Sequence, residues 1–338
     1  MTLISLISEQ TLPNLLFIRA NPGVERHIFL STDRMERQGR SEWIRRAAGL
    51  DQVEVERVPP EDMAGIWERL AQLTFGPEER ILLHLTGGTK MMALAAYQFF
   101  TTQFRARTRV FYLALETGRV QEVFPEAASS DMPTQVSLDT YLAAHGVEME
   151  HRGLYDFLAW GDLAEETFRH MTGLRWSPKI AKKMYLGTSI PDPAERKFYT
   201  GEWLEVWAYH QLRAHLGLAT DAIRQGVHLH KQAADGQSFA REYDVVFIRN
   251  NHLYLLEVKA WPGAAGFSTQ KANPDLYKLA QAKRELGLYA GSLFWTINRP
   301  SPAALRVIGP NLELLGIQFA GPDTLSDPDT LRHYLQKL

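Results

Sequence analysis

The sequence predicts an α/β protein of two domains: an N-terminal Rossmann-like parallel sheet, and a C-terminal α/β domain organised around a β-hairpin. Three observations carry that expectation. From the start to about residue 125, strand-like apolar runs alternate with helical patterns, as parallel βαβ units require. Two β-rich runs flank Asn250-Asn251, residues that tolerate the positive φ of a type I′ turn. The length, 338 residues, exceeds what one hydrophobic core usually serves.

In the first domain the strand-like runs fall at 3–7, 27–31, 53–58, 81–86 and 110–115, with helical patterns near 12–20, 34–48, 60–73 and 90–104 between them. Ligands of doubly wound sheets bind at the carboxyl ends of the strands. The fourth run ends there in Thr86-Gly87-Gly88-Thr89-Lys90. Glycines let the backbone approach a ligand, the following helix start offers unpaired N–H groups to a phosphate, and Lys90 adds a positive charge. The spacing is not that of a Walker motif, and a tight β-α turn would explain the glycines alone. The flanking threonines and the lysine favour nucleotide or phosphate binding. Ser8, Glu9 and Gln10 after the first strand, and Ser31, Thr32 and Asp33 after the second, should converge on the same edge.

Residues 125–150, with Pro125, Pro133, small residues and one short helix-like stretch, read as an interdomain connection. A helical pattern near 154–172 and a loop-rich stretch punctuated by Pro178, Pro191 and Pro193 follow. The expected division is 1–125, a connecting segment 126–195, and a second domain 196–338. That domain holds a helix near 201–216, a hairpin over 243–259, a helix near 274–286, a strand at 292–297 and a final α/β stretch.

The hairpin carries the chemistry. With Asn250-Asn251 as a two-residue loop, Arg249 faces His252, and counting outward sets Asp244 opposite Glu257. Period-two alternation puts Lys259 on the face of Glu257. Carboxylates facing each other across a ladder repel, which selection for stability alone would avoid. A divalent cation removes the conflict. Mg²⁺ or Mn²⁺ favours carboxylate and carbonyl oxygens, lowers the pKa of an attacking water and neutralises charge on a phosphorane. Lys259 can orient that water or stabilise the transition state. A Glu-x-Lys on a strand is also, by itself, a common surface ion pair. Leu255, Leu256 and Val258 argue for a buried strand instead, and the aspartate is in register.

Composition bounds the rest. At 45% hydrophobic and 22% charged residues the chain is an ordinary globular protein, and zero cysteines exclude disulfides, thiolate metal sites and cysteine nucleophiles. No leader-like start or membrane-length apolar run is present, so the expected location is cytoplasmic, with no membrane partner. A net charge of -2 means that nucleic-acid binding must rely on local basic clusters. His84, His228 and His230 lack a carboxylate or third ligand at metal-site spacing and read as structural. Trp203 and Trp207, at helical spacing, read as core.

Together the helix and the hairpin resemble the PD-(D/E)XK nuclease superfamily. Gly201-Glu202-Trp203-Leu204-Glu205 is similar to a Gly-x-Trp-Leu-Glu signature whose final glutamate joins the metal site, which assigns Glu205. Glu202, one turn earlier, is a reserve candidate, equally explained as a first-turn carboxylate favoured by the helix dipole. Tyr277-Lys278-Leu279 resembles an element that brings a further lysine to the site, although a solvated helix face also accounts for Lys278. Lys283 and Arg284 read as surface charges or general phosphate contacts.

The Thr-Gly-Gly-Thr-Lys loop after the fourth strand, and the opening Ser5-Leu-Ile-Ser-Glu-Gln-Thr-Leu-Pro13, are similar to CRISPR-associated Rossmann fold (CARF) sensors. Nearly the whole chain thus resembles the CARF-nuclease effectors of type III CRISPR antiviral immunity. The resemblance implies a homodimer with cyclic tetra-adenylate lying across its two-fold axis as allosteric activator. It implies Mg²⁺ or Mn²⁺ held by Glu205, Asp244, Glu257 and the Val258 position, and cleavage of DNA and/or single-stranded RNA. Glu202 departs from a position often glycine in the family, and 151–200 holds no recognised motif. Activator ring size and DNA versus RNA stay open. So do three other readings: a conventional restriction or repair nuclease, a non-enzymatic sensor, and a sensor that hydrolyses its own activator through Thr89 and Lys90.

Overall fold

The computed structural model describes residues 1–114, 116–151, 157–232, 238–261, 267–287 and 289–338. The end of the expected strand at Leu115, the start of the expected helix at 154–156, and the side chain of Arg284 lie outside the described residues. Two compact units emerge: Met1–Glu148 with His230–Phe239, and Met149–Leu229 with Ala240–Leu338. Among the described residues no helix is long and apolar enough to cross a membrane.

The first unit runs β1 (Thr2–Leu6), α1 (Leu12–Ala20), β2 (Arg26–Ser31), α2 (Asp33–Arg37), α3 (Arg40–Ala48), β3 (Glu54–Arg57) and α4 (Met63–Ala71). It continues through β4 (Ile81–His84), α5 (Lys90–Gln103), β5 (Thr108–Ala114), β6 (Arg119–Phe124), β7 (Ala128–Asp131) and α6 (Leu138–Ala144). The sheet order is β3-β2-β1-β4-β5-β6-β7. Strands β1 to β5 are parallel, as expected. The purely parallel sheet is corrected at one edge, where β6 and β7 pair antiparallel, because the short connections after β5 and β6 allow only a direct return.

Alternation along the strands feeds two apolar layers. Ile4, Leu6, Ile28, Leu30 and Leu83 pack against Met92, Ala95, Ala96 and Phe99 of α5. Leu3, Phe29 and Leu82 pack against Phe17 and Ile18 of α1 and Ile44 of α3. The helix expected over 34–48 is broken at Gly39, whose φ of 73° is left-handed. The chain winds outward from β1 through β3 and returns at β4, so the topological switch point lies between β1 and β4.

Strand β8 (Val147–His151) starts in the first unit and runs into the second, which continues with α7 (Phe157–Met171), α8 (Pro178–Leu186), α9 (Pro193–Lys197), a π-helical turn (Phe198–Glu202) and α10 (Trp203–Leu216). There follow β9 (Ile223–Gln232), β10 (Ser238–Arg249), β11 (His252–Lys259), α11 (Thr269–Leu286), β12 (Ala290–Thr296), α12 (Pro302–Leu315), β13 (Ile317–Ala320), α13 (Pro322–Ser326) and α14 (Pro328–Leu335). The sheet order is β13-β12-β11-β10-β9-β8. Trp203 and Trp207 are core residues, each 2% exposed. The stretch expected to be loop-rich contains α8 and α9, because Pro178 and Pro193 occupy first-turn positions that lack a hydrogen-bond partner anyway. Helix α11 begins before Pro274 because Ser268 caps it, accepting from the Lys271 N–H at 3.4 Å.

Candidate active site and ligand-binding loops

Asn250 and Asn251 adopt φ of 51° and 63°, the two positive values a type I′ turn needs. Arg249 pairs with His252, and the ladder continues through Val246↔Leu255 to Val245↔Leu256. One more step along it sets Asp244 against Glu257. Strand β11 lies between β10 and β12, which explains its apolar run; within that run Glu257 is only 2% exposed. Taking a carboxylate out of water costs several kcal/mol unless it is paired. Here Lys259 Nζ donates to Glu257 Oε1 at 2.6 Å and Lys278 Nζ to Oε2 at 2.7 Å. Asp244 Oδ2 accepts the Val258 N–H at 2.7 Å. Lys278 reaches the strand from α11, whose Leu279 is buried while Tyr277 is exposed.

Acidic groups crowd this point. Burial pushes the Asp244 carboxyl up to about 7 and Glu257 adds to the push, against the pull of Lys259, the Val258 N–H and Lys278. Glu205, in the first turn of α10, is driven well above the usual carboxylate range by burial, by Asp244, and by Glu202 and Glu257; the Gln225 amide, donating at 3.5 Å, opposes this. Burial works to lower the Lys259 pKa, yet Asp244 and Glu257 outweigh it and raise the ammonium above its ordinary value. Glu202 instead forms an ion pair with Lys197.

Each carboxylate oxygen can accept more than one partner. The donors therefore suit a hard cation: carboxylates that repel one another, with the Val258 backbone beside them. Among the described residues no three Asp, Glu or His side chains converge tightly enough to hold an ion by themselves. A cation here would therefore need more than side chains, drawing on two carboxylates, a backbone carbonyl and water.

Three contributors escaped the sequence. Asp275 lies 3.7 Å from Lys259 Nζ, and burial raises its pKa; its position one turn before Lys278 was a usable signal. The Tyr243 ring lies under Lys278 Nζ, 5.1 Å from its centroid. Gln225 comes from β9, a strand whose polar residues hid it.

In the first unit the order β2-β1-β4 places the loops after those strands side by side. A Cβ at Gly87 would stand 2.0 Å from the Leu6 carbonyl oxygen and 3.3 Å from Ser8 Oγ, so only glycine lets these loops approach. Gly88 has φ of 73°. Thr89 caps α5, accepting the Met92 N–H at 3.1 Å and donating to the Pro60 carbonyl at 2.5 Å. Lys90, first residue of that helix, is exposed and forms no ion pair among the described residues.

The Thr86 hydroxyl is held from beneath. His84 is fully buried, stacked 4.4 Å from the Phe17 ring, and its pKa is lowered by burial to about 3. Asn14 donates to the Leu6 carbonyl, leaving its Oδ1 to accept from His84 Nδ1 at 3.0 Å. His84 Nε2 then accepts the Thr86 hydroxyl at 2.8 Å, and that hydroxyl accepts the Leu113 N–H at 2.7 Å. Ser8 Oγ accepts the Gln10 N–H at 3.3 Å, Glu9 pairs with Arg34, and Asp33 pairs with Arg57 at 3.3 Å. Thr32 caps α2 through the Met35 N–H, and Ser31 is buried at the strand end.

Family comparison assigns the two sites to two different domains. The family described as Card1 CARF domain matches residues 2–141, and the Card1-like endonuclease domain matches 192–336. Comparison with curated protein sequences found no significant match. Among solved structures, protein VC1899 from Vibrio cholerae aligns with a TM-score of 0.80 at 17% identity, covering 99% of this chain and 97% of that one. Can2 from Sulfobacillus thermosulfidooxidans, solved in complex with cyclic tetra-adenylate, aligns with a TM-score of 0.74 at 20% identity, covering 99% and 98%. Identities this low speak for the fold. The two matched domains speak for the family: this chain joins a CARF domain to an endonuclease domain and belongs to the Card1-like CARF endonucleases.

Proposed function

We propose that the chain is a Mg²⁺- or Mn²⁺-dependent endonuclease of DNA and/or single-stranded RNA, switched on in type III CRISPR defence by cyclic tetra-adenylate bound to a CARF homodimer. The observation that carries the nuclease half is Glu257, buried at 2% exposure with both oxygens on lysine ammoniums and a second carboxyl group beside it. Asp244, Glu257 and the Val258 carbonyl are the proposed ligands, with Glu205 joining through water. The bound ion supplies Lewis acidity and a more acidic water. Lys259 and Lys278 hold Glu257 in place; Lys259, anchored also by Asp275, keeps a full positive charge where a phosphate's charge grows.

The activator half is supported by the edge formed from Ser8, Glu9, Gln10, Ser31, Thr32, Asp33 and Thr86 to Lys90. There the N–H groups of a helix start, and a lysine with no ion pair among the described residues, stand beside the switch point. A cA4-bound neighbour with the same fold supports the choice of ligand.

The test incubates the full-length protein with labelled single strands of DNA and RNA, Mn²⁺ or Mg²⁺, with and without cyclic tetra-adenylate. Cleavage is expected only with metal and activator together, and Glu257→Ala is expected to cost at least about a hundred-fold in rate. Full cleavage without the activator would return the chain to the conventional nucleases, and undiminished cleavage by the variant would end the assignment of Glu257.

A further inference from the structure

Between α7 and the acidic cluster lies a surface that the catalytic reading leaves unused. Trp176 is 72% exposed and Tyr185 is 91% exposed, whereas Trp203, Trp207 and Trp295 of the same unit are buried. The buried side of α8 is taken by Ile180. Three-residue spacing lines Lys179, Lys182 and Tyr185 along the opposite side. Arg175, Lys179 and Lys182 are exposed and form no ion pair among the described residues. Neighbouring cations are neutralised: Lys183 by Glu195, Lys197 by Glu202 and Arg169 by Glu165. The ring of His170 backs Trp176 at 4.7 Å. On a chain of net charge -2, this is a local excess of positive charge interleaved with open aromatic rings.

We propose that this face, Arg175, Trp176, Lys179, Lys182 and Tyr185, docks the single-stranded nucleic-acid substrate, a step that rests on the nuclease reading above. Exposed rings stack on unpaired bases, and spaced cations follow the phosphates; a duplex hides the base faces such rings need. A second copy of the chain is a poor occupant, because two-fold pairing through this face would set its cations against themselves. The location suits a substrate. Helix α8 packs against the π-helical turn Phe198–Glu202, and that turn leads directly into Glu205. A strand laid on α8 is thereby led toward the carboxyl cluster.

The experiment measures fluorescence anisotropy of labelled oligo-dT, oligo-U and a duplex with the full-length protein in EDTA plus cyclic tetra-adenylate, so that binding is read without cleavage. Trp176→Ala with Tyr185→Ala is expected to weaken single-strand binding about ten-fold or more and to leave duplex binding little changed. Reversing Arg175, Lys179 and Lys182 to Glu is expected to flatten the log-affinity against log-salt slope by about 2, as loss of three phosphate contacts on a single strand predicts. The proposal is overturned if both variants bind single strands like the parent, or if the aromatic variant loses duplex binding equally. It is also overturned if sedimentation shows a parent dimer turned into monomers, which would make this face a contact between copies. A parent that cuts once Mn²⁺ replaces EDTA, while both variants bind normally, sinks the docking surface alone. A parent that neither binds nor cuts sinks the nuclease reading with it.

Discussion

Asp244 holds a proton well past the ordinary aspartate value of 3.8, because burial and Glu257 push its pKa up to about 7. Between those two values the folded protein binds a proton that the unfolded chain has released, so this group's contribution to stability falls as pH rises through that window. The melting temperature of metal-free protein should therefore drop between about pH 4 and pH 7, and Asp244→Asn should flatten the drop. Mg²⁺ or Mn²⁺ should restore stability at the upper end, where it takes the place of the lost proton. A scan in which the variant and the parent fall in parallel would remove Asp244 from the cluster. The sequence exposed Asp244 and Glu257 because a charged residue inside an apolar strand is conspicuous, and a two-residue turn fixes what lies opposite it. It exposed Lys278 only through resemblance, since a lysine on a helix face is ordinary until the helix is placed. Asp275 was legible only as a carboxylate one turn before Lys278, and both it and Gln225 meet their partners Lys259 and Glu205 through the packing of α11 and β9.

At the scale of elements, the hairpin turn is the device that sets the register, and it depends on two residues tolerating left-handed backbone. Asn251→Val should cost about 1–2 kcal/mol of stability, because a β-branched residue resists positive φ. Asn251→Gly should be neutral or slightly stabilising. Urea denaturation of both variants checks this, and equal midpoints would mean the turn is not strained as its dihedrals imply. The same logic explains which elements were legible. Strands β1 and β4 are buried along their whole length and read as apolar runs, interrupted in β1 by Thr2 and Ser5 and ended in β4 by His84. Strand β7 is exposed at every position, and β9 interleaves Arg224, Gln225, His228 and Lys231 with its apolar residues, so neither carries such a run. Helix α8 was hidden by a proline that marks its beginning rather than a break, and α2 and α3 were fused because Gly39 sits inside an otherwise continuous pattern.

For the whole molecule, the proposed switch is a coupling between two ligands, and coupling is reciprocal. If cyclic tetra-adenylate raises the affinity for a single strand, the strand must raise the affinity for cyclic tetra-adenylate by the same factor, typically about five- to a hundred-fold. Both titrations can be run in EDTA, so neither is confounded by cleavage. Lys90 gives the control. It is exposed and forms no ion pair among the described residues, so Lys90→Ala should leave the melting temperature unchanged while weakening activator binding about ten-fold, the usual loss for a hydrogen bond to a charged group. The variant should then need more activator for half-maximal cleavage yet reach the parent's maximal rate, because a residue that only binds ligand alters occupancy and not the active conformation. A lowered maximum at saturating activator would show that Lys90 itself helps select the cutting state. Strand affinity indifferent to activator would leave no coupling for the CARF domain to exert through binding, however tightly it held the ring.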